Sequence, residues 1–225
     1  MKKKISDSIK PWERRTQSSY QNNTFAVNLR FLILCEGQTE KEYFDSFDLS
    51  TKDVVCINCK GCSKQRLIDE CDKRVEKYKQ QGKEFDQIWC VFDMDVHKGE
   101  NEYAEFDNAI ISGTKKGYKI AYSNDAFELW FYLHFQLPSQ ANHRTFYYSK
   151  LSNYLGYNYE KEGKTLEKCK TNYDLLKDKQ EKAIKNAKQL LDRHGEIAYH
   201  KRNPGTTVHH LVETLNTYLR GSRRS

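Results

Sequence analysis

The chain predicts an α/β fold, a small, mostly parallel sheet flanked by helices and followed by a helical C-terminal elaboration. Three observations predict the layered sheet. Short apolar runs alternate with segments of helical period over residues 29–135. The run from Ile88 to Phe92 in "FDQIWCVFD" is apolar without alternation, as a strand covered on both faces requires. Beyond Pro138 only helical periodicity remains.

The elements follow in order. Residues 29–35 form an apolar strand that runs into Glu36 and Gly37. "TEKEYFDSF" starts a helix with Thr39 as N-cap, Glu42 as its capping-box partner, and Tyr43, Phe44 and Phe47 as buried face. "DVVCIN" (53–58) is the second strand. Residues 63–82 are a helix with Leu67, Ile68, Cys71, Val75 and Tyr78 at helical spacing, ended by Gly82. Residues 85–93 are the third strand, and a helix over 100–116 ends at Gly117. "YKIAYS" (118–123) is the fourth strand. An apolar helix follows over 124–135, capped by Asn124 or Asp125. Helices are expected at 146–155, 164–176, 178–194 and 206–220, the last opened by Pro204 and Thr206.

This gives a basic N-terminal arm (1–28), an α/β core (29–138) and a basic helical region (139–225). Lys and Arg outnumber Asp and Glu by 7 to 2 in residues 1–30 and by 17 to 9 in 139–225, but are outnumbered 14 to 20 in 31–138. Basic flanks suit a polyanion, and an acidic centre repels one unless cations sit there. Solvated helix faces account for most single lysines. No apolar run approaches the roughly 18 residues of a membrane span. The N-terminus "MKKKISDSIK" has no apolar stretch of a secretion signal, so a cytoplasmic protein is expected.

Seven cysteines are read as reduced thiols. Cys56, Cys59 and Cys62 have the spacing of metal sites. Cys71, nine residues on, fits no common cluster, so a strand end followed by a turn is the preferred reading.

In open α/β sheets ligands bind outside the carboxyl ends of the strands. There this chain places Glu36-Gly37, "FDMDVH" (Asp93 to His97), and Ser123-Asn124 before a helix bearing Glu128. Asp93 and Asp95 face one side while the chain stays extended. Two such carboxylates are unfavourable without a cation, and oxygen-only ligands suit Mg2+ or Mn2+. Turn formation is the bland alternative for an Asp after a strand. Gly37 permits a sharp turn or a close phosphate. Glu40 either complements the helix dipole or supports the metal, the first being favoured. Glu128, among Phe127, Leu129, Trp130 and Phe131, is either a capping residue at N3 or a buried carboxylate that needs a partner. His97 is a proton donor or an exposed loop histidine, and His134 is a core residue. The sequence does not place Asn203 or His209.

"LCEGQTEKEYF", "VFDMDVH", "SNDAFELWFYLHF" and "NPGTTVHHLVETL" together resemble the RloB family, across residues 30–220. The family pattern often reads E-G-x-K-T-E, and here the lysine position is absent. The resemblance implies the Toprim-like core. Glu36 would match the acid after the first strand, and Asp93 and Asp95 the paired acids that hold Mg2+. Glu128 and Ser123 fall, more loosely, where related nucleases have further polar site residues. It also implies a prokaryotic restriction or anti-phage module, an ATPase partner, and nuclease action on RNA, tRNA or other nucleic acid.

The expected activity is therefore metal-dependent nucleic-acid cleavage. Asp93 and Asp95 hold the metal, Glu36 joins them or acts as general base, Glu128 is a further catalytic carboxylate, and Glu40, His97 and Ser123 support. Arg14, Arg15, Arg144, Lys150 and Arg202 are the expected nucleic-acid contacts, with Tyr147, Tyr148, Tyr154 and Tyr157 as stacking platforms or core. A non-catalytic nucleic-acid or nucleotide binder that regulates an ATPase is the alternative.

Overall fold

The computed structural model describes residues 29–50, 53–60, 62–95 and 100–220. The N-terminal arm with Arg14 and Arg15, and His97, lie outside the described residues. Strands β1 (Arg30–Cys35), β2 (Asp53–Asn58), β3 (Gln87–Asp93) and β4 (Lys119–Asn124) are joined by helices α1 (Gln38–Asp45), α2 (Lys64–Gln80) and α3 (Glu100–Lys115). Then come α4 (Glu128–Leu133), α5 (Arg144–Leu155), α6 (Tyr159–Glu162), α7 (Leu166–Leu176), α8 (Gln180–Asp192), β5 (Gly205–Thr206) and α9 (Val208–Asn216). The sheet order is β2-β1-β3-β4-β5. The first four strands are parallel, and β5 is antiparallel to β4.

The continuous apolar strands are explained by burial on both faces. Phe31, Ile33, Cys35, Trp89 and Val91 enter one core with α1, α4, α5 and the C-terminal helices. Leu32, Leu34, Cys90 and Phe92 enter the other with α2 and α3. This is the period of two that a pleated strand imposes. The C-terminal region shares the first core through Tyr147, Leu151, Tyr159, Leu190 and Leu211. Gly82 and Gly117, after α2 and α3, take left-handed φ of +69° and +83°, as helix-ending glycines do. Cys56 packs on the first core, whereas Cys59 and Cys62 pack on the second, on opposite sides of the sheet.

Three local expectations are corrected. Gly37, not Thr39, is the N-cap of α1, and Thr39 is buried within the helix. The Glu42 side chain accepts from Gln38 Nε2 instead of completing a capping box. The expected helix over 124–135 is shorter: β4 continues through Asn124, and α4 starts at Glu128 with no side-chain cap. "NPGTT" does not open a helix. Gly205 and Thr206 pair with Asn124 and Ser123, and the helix begins at Val208. Thr206 Oγ1 donates to the Tyr122 carbonyl at 2.9 Å, and Tyr122 N–H donates to Thr207 Oγ1, so threonine hydroxyls stand in for ladder bonds.

Candidate carboxylate cleft

In the order β2-β1-β3, the chain crosses away in one direction after β1 and returns on the other side in β3. That is a topological switch point, where the carboxyl ends of two parallel strands leave a crevice. Glu36 and Asp93 end those strands. Glu36 N–H donates to the Val91 carbonyl at 2.9 Å, extending the ladder by one residue. Asp93 N–H donates to Glu36 Oε2 at 3.3 Å, which ties the two strand ends together.

A cleft of about 240 Å3 lies above them, bordered by Glu36, Glu40, Asp93, Asp95 and Glu128 and by two cations, Arg144 and Lys164. The structure thus gathers all five acids singled out in the sequence, from three separate stretches of chain. Asp93 Oδ1 is buried and has no hydrogen-bond partner among the described residues. Burial, followed by the charges of Glu40, Glu128 and Glu36, pushes the Asp93 carboxyl well above its ordinary range, against the opposing Phe127 backbone donor. Glu40 is 6% exposed. Burial, then the neighbouring Glu128 and Glu36, raise it to about 7 despite its own backbone N–H. Burial also raises Glu36, although Lys64 Nζ stands 4.0 Å from Oε1 and opposes the shift.

Asp95 departs from the extended geometry expected of it. Its φ is +49°, and its backbone N–H donates to the Asp125 carbonyl at 3.1 Å. The chain therefore turns between Asp93 and Asp95, and the two carboxylates have different partners. Asp95 makes a close ion pair with Arg144, whose Nη2 also lies 3.9 Å from Asp125. Arg144 is the first residue of α5 and reaches across the cleft. Glu128 is 3% exposed, at the first position of α4, and accepts from Tyr159 Oη at 3.3 Å. That is the buried-and-partnered arrangement, not the N3 capping one. Gly37 is needed for close approach: a Cβ there would stand 2.6 Å from Glu40 Oε2, so the Glu40 side chain folds back over the glycine.

Other expected residues lie elsewhere. Ser123 is fully buried, with its Oγ 3.0 Å from Thr206 Oγ1, and does not line the cleft. A strand-end hydroxyl next to β5 satisfies that strand. Arg202 donates to the Ile197 carbonyl and packs over the Tyr199 ring. Lys150 Nζ lies 5.5 Å from the Phe146 ring centroid. Tyr147 is fully buried, which removes it as a stacking platform. Tyr154 stacks on Phe135, with centroids 4.4 Å apart and planes at 11°. Tyr157 Oη donates to Asn172 Oδ1, and Tyr148 lies under Lys164. His134 is in the core, its Nδ1 2.9 Å from the Trp130 carbonyl.

Sequence reading missed Lys64 and Lys164. Lys64 is 7% exposed, and no local pattern distinguishes it from solvated lysines. "SKQR" carries only the signal of a helix start, and Ser63 does cap α2. Lys164 lies beside Glu128 and Tyr148, whose charges outweigh burial and raise its pKa. Lys64, from α2, places an ammonium 4.0 Å from Glu36 Oε1.

An oxygen-only donor set with one orphaned buried oxygen suits a hard dication. Among the described residues no three of these carboxylates bring oxygens within 4.8 Å of one another. Mg2+ is commonly held by one or two carboxylates with water completing its shell, and Glu36 with Asp93 meets that demand.

Comparisons with known proteins agree with the residue patterns. No curated protein and no solved structure matches the chain. The family model for RloB-like protein matches residues 31–215. The match starts within β1 and ends within α9, so it takes in every wall of the cleft: this chain belongs to the RloB-like family.

Proposed function

We propose that the chain is an Mg2+- or Mn2+-dependent nuclease that cleaves phosphodiester bonds of nucleic acid, with RNA or tRNA as the favoured class. The observation that carries this reading is the buried, unpartnered Asp93 Oδ1 among Glu36, Glu40 and Glu128 at the switch point of the sheet. A binding surface for phosphates alone has no use for carboxylates there, since they repel the ligand. A bound dication would offset charge on the phosphoryl group and acidify an attacking water.

The protein's own groups divide the remaining work. Asp93 holds the cation, with Glu36 beside it. The Glu36 carboxylate, raised toward neutrality and steadied by Lys64, accepts the proton of the attacking water. Glu40, titrating at about 7, holds or passes a proton at the operating pH. Lys164 and Arg144 orient the phosphate at the mouth of the cleft. The fold supports a Toprim-like reading of this site. Family membership further supports a role in an anti-phage or restriction module with an ATPase partner.

A second reading rests on the Arg144–Asp95 ion pair, which closes one side of the cleft. It makes the chain a nucleic-acid or nucleotide sensor that regulates the ATPase. Incubation with tRNA, other RNA, and single- and double-stranded DNA, in Mg2+, Mn2+ or EDTA and with or without a candidate ATPase partner, separates the two. Cleavage that EDTA abolishes supports the nuclease. Binding without cleavage in every arm supports the sensor.

A further inference from the structure

Helix α9 carries a second group of metal-ligand side chains that the cleft does not use. His209, His210 and Glu213 each present one ligand atom, and these atoms all lie within 4.8 Å of one another. No other group of three such residues meets that spacing among the described residues. Glu213 stands four residues from His209 and three from His210, the spacings that place side chains together on a helix surface. Adjacent helical residues ordinarily diverge, yet the two imidazole rings have centroids 4.0 Å apart at 41°.

Burial makes the arrangement more specific. His209 is 1% exposed, and its Nδ1 is buried without a hydrogen-bond partner among the described residues. An imidazole nitrogen in that position lacks a donor or an acceptor, which is unfavourable unless a ligand meets it. His210 and Glu213 line an open cavity of about 610 Å3 beside Trp89, Tyr118, Tyr122 and Tyr199, so an ion can enter from solvent. Lys188 Nζ holds Glu213 Oε1 at 2.5 Å, leaving the second carboxylate oxygen for a metal. None of the three residues borders the carboxylate cleft.

We propose that His209, His210 and Glu213 form a binding site for a divalent transition ion of the Zn2+ class. Two imidazoles and a carboxylate are the donor set that such ions favour and that Mg2+ does not. His209 closes the buried side, and His210 and Glu213 border the open cavity, which leaves a coordination position there for water or a small ligand. At Zn–ligand distances of about 2.0–2.2 Å the ligand atoms must close up, and small rotations of His210 and Glu213, on the exposed side, supply that.

The test uses the full-length chain, stripped with chelator and held in excess Mg2+ to occupy oxygen-only sites. Zn2+ binding is measured by competition with a chromophoric chelator, and Co2+ is added separately as a spectroscopic probe. One equivalent of Zn2+ is expected, together with a visible Co2+ spectrum that lacks the strong near-ultraviolet thiolate band. His210→Ala and Glu213→Gln, both away from the core, should each weaken binding at least about tenfold. Cys59→Ser/Cys62→Ser should bind as wild type. Circular dichroism confirms that each variant folds. No binding by the wild type, wild-type affinity in the His210→Ala/Glu213→Gln double variant, or loss of binding in the cysteine variant would each overturn the proposal.

Discussion

The backbone N–H of Asp93 donates to Glu36 Oε2 at 3.3 Å, so the ends of β3 and β1 are joined through a carboxylate. The bond fixes the Glu36 carboxylate over the crevice while Asp93 turns its own carboxylate into buried space. Lys64 from α2 stands 4.0 Å from Glu36 and offsets part of the charge. The remaining negative charge is left for protons or an added cation.

That imbalance sets a pH dependence. Glu40, Asp93 and Glu36 all have raised carboxyl pKa values in the fold, so the native state keeps protons that the unfolded chain releases. The part due to Glu40, about 3 kcal/mol, is present in full below its unfolded value near 4.5 and is lost as pH rises through about 7; Glu36 and Asp93 act in the same direction. Urea unfolding across this range should show the decline. Mg2+ at about 100 times its dissociation constant should return about 2.7 kcal/mol at pH 7.5. A flat profile in the metal-free protein contradicts the charge assignment.

Gly37→Ala should leave the fold intact and displace Glu40. The added Cβ would meet a side-chain carboxylate, which can swing away, not backbone. With Glu40 moved toward solvent, the loss of stability between pH 4.5 and 7 should flatten relative to wild type. The same unfolding series checks it, and an unchanged slope would show that Glu40 is not held there.

Tyr159→Phe removes the 3.3 Å hydroxyl donor from buried Glu128. The expected cost is about 1–3 kcal/mol at neutral pH, read from the denaturation midpoint. A neutral result would mean that Glu128 finds its partner elsewhere, in Lys164.

Lys64→Gln tests the general-base role. The lysine lowers the Glu36 pKa, so its removal raises that value further. The acidic limb of the cleavage rate should move to higher pH, with secondary structure unchanged. A limb that stays in place assigns the titration to another group.

Much of this was legible in the sequence because it is local. The apolar runs of β1 and β3 named their strands, and parallel strands put Glu36 and Asp93 at the same edge. What escaped depends on distant partners. β5 is two residues long and exists only through its register with Ser123 and Asn124. The Asp93–Asp95 alternation failed because the chain bends at Asp95, whose backbone bonds to Asp125 thirty residues on. Lys64 comes from the start of α2 and Lys164 from the turn between α6 and α7, and nothing in their neighbourhoods separates them from surface charges. Thr39 lost the cap to Gly37 because Glu40 needs the space over a residue without Cβ.

The most direct measurement compares phosphodiester cleavage by the wild type and Asp93→Asn at matched Mg2+ concentration. Asparagine keeps the size of the side chain and removes a buried charge, so the variant should fold at least as stably. The account predicts a fall in rate of at least about a hundredfold, on the order of 3 kcal/mol in the barrier. A wild-type rate in Asp93→Asn would contradict it.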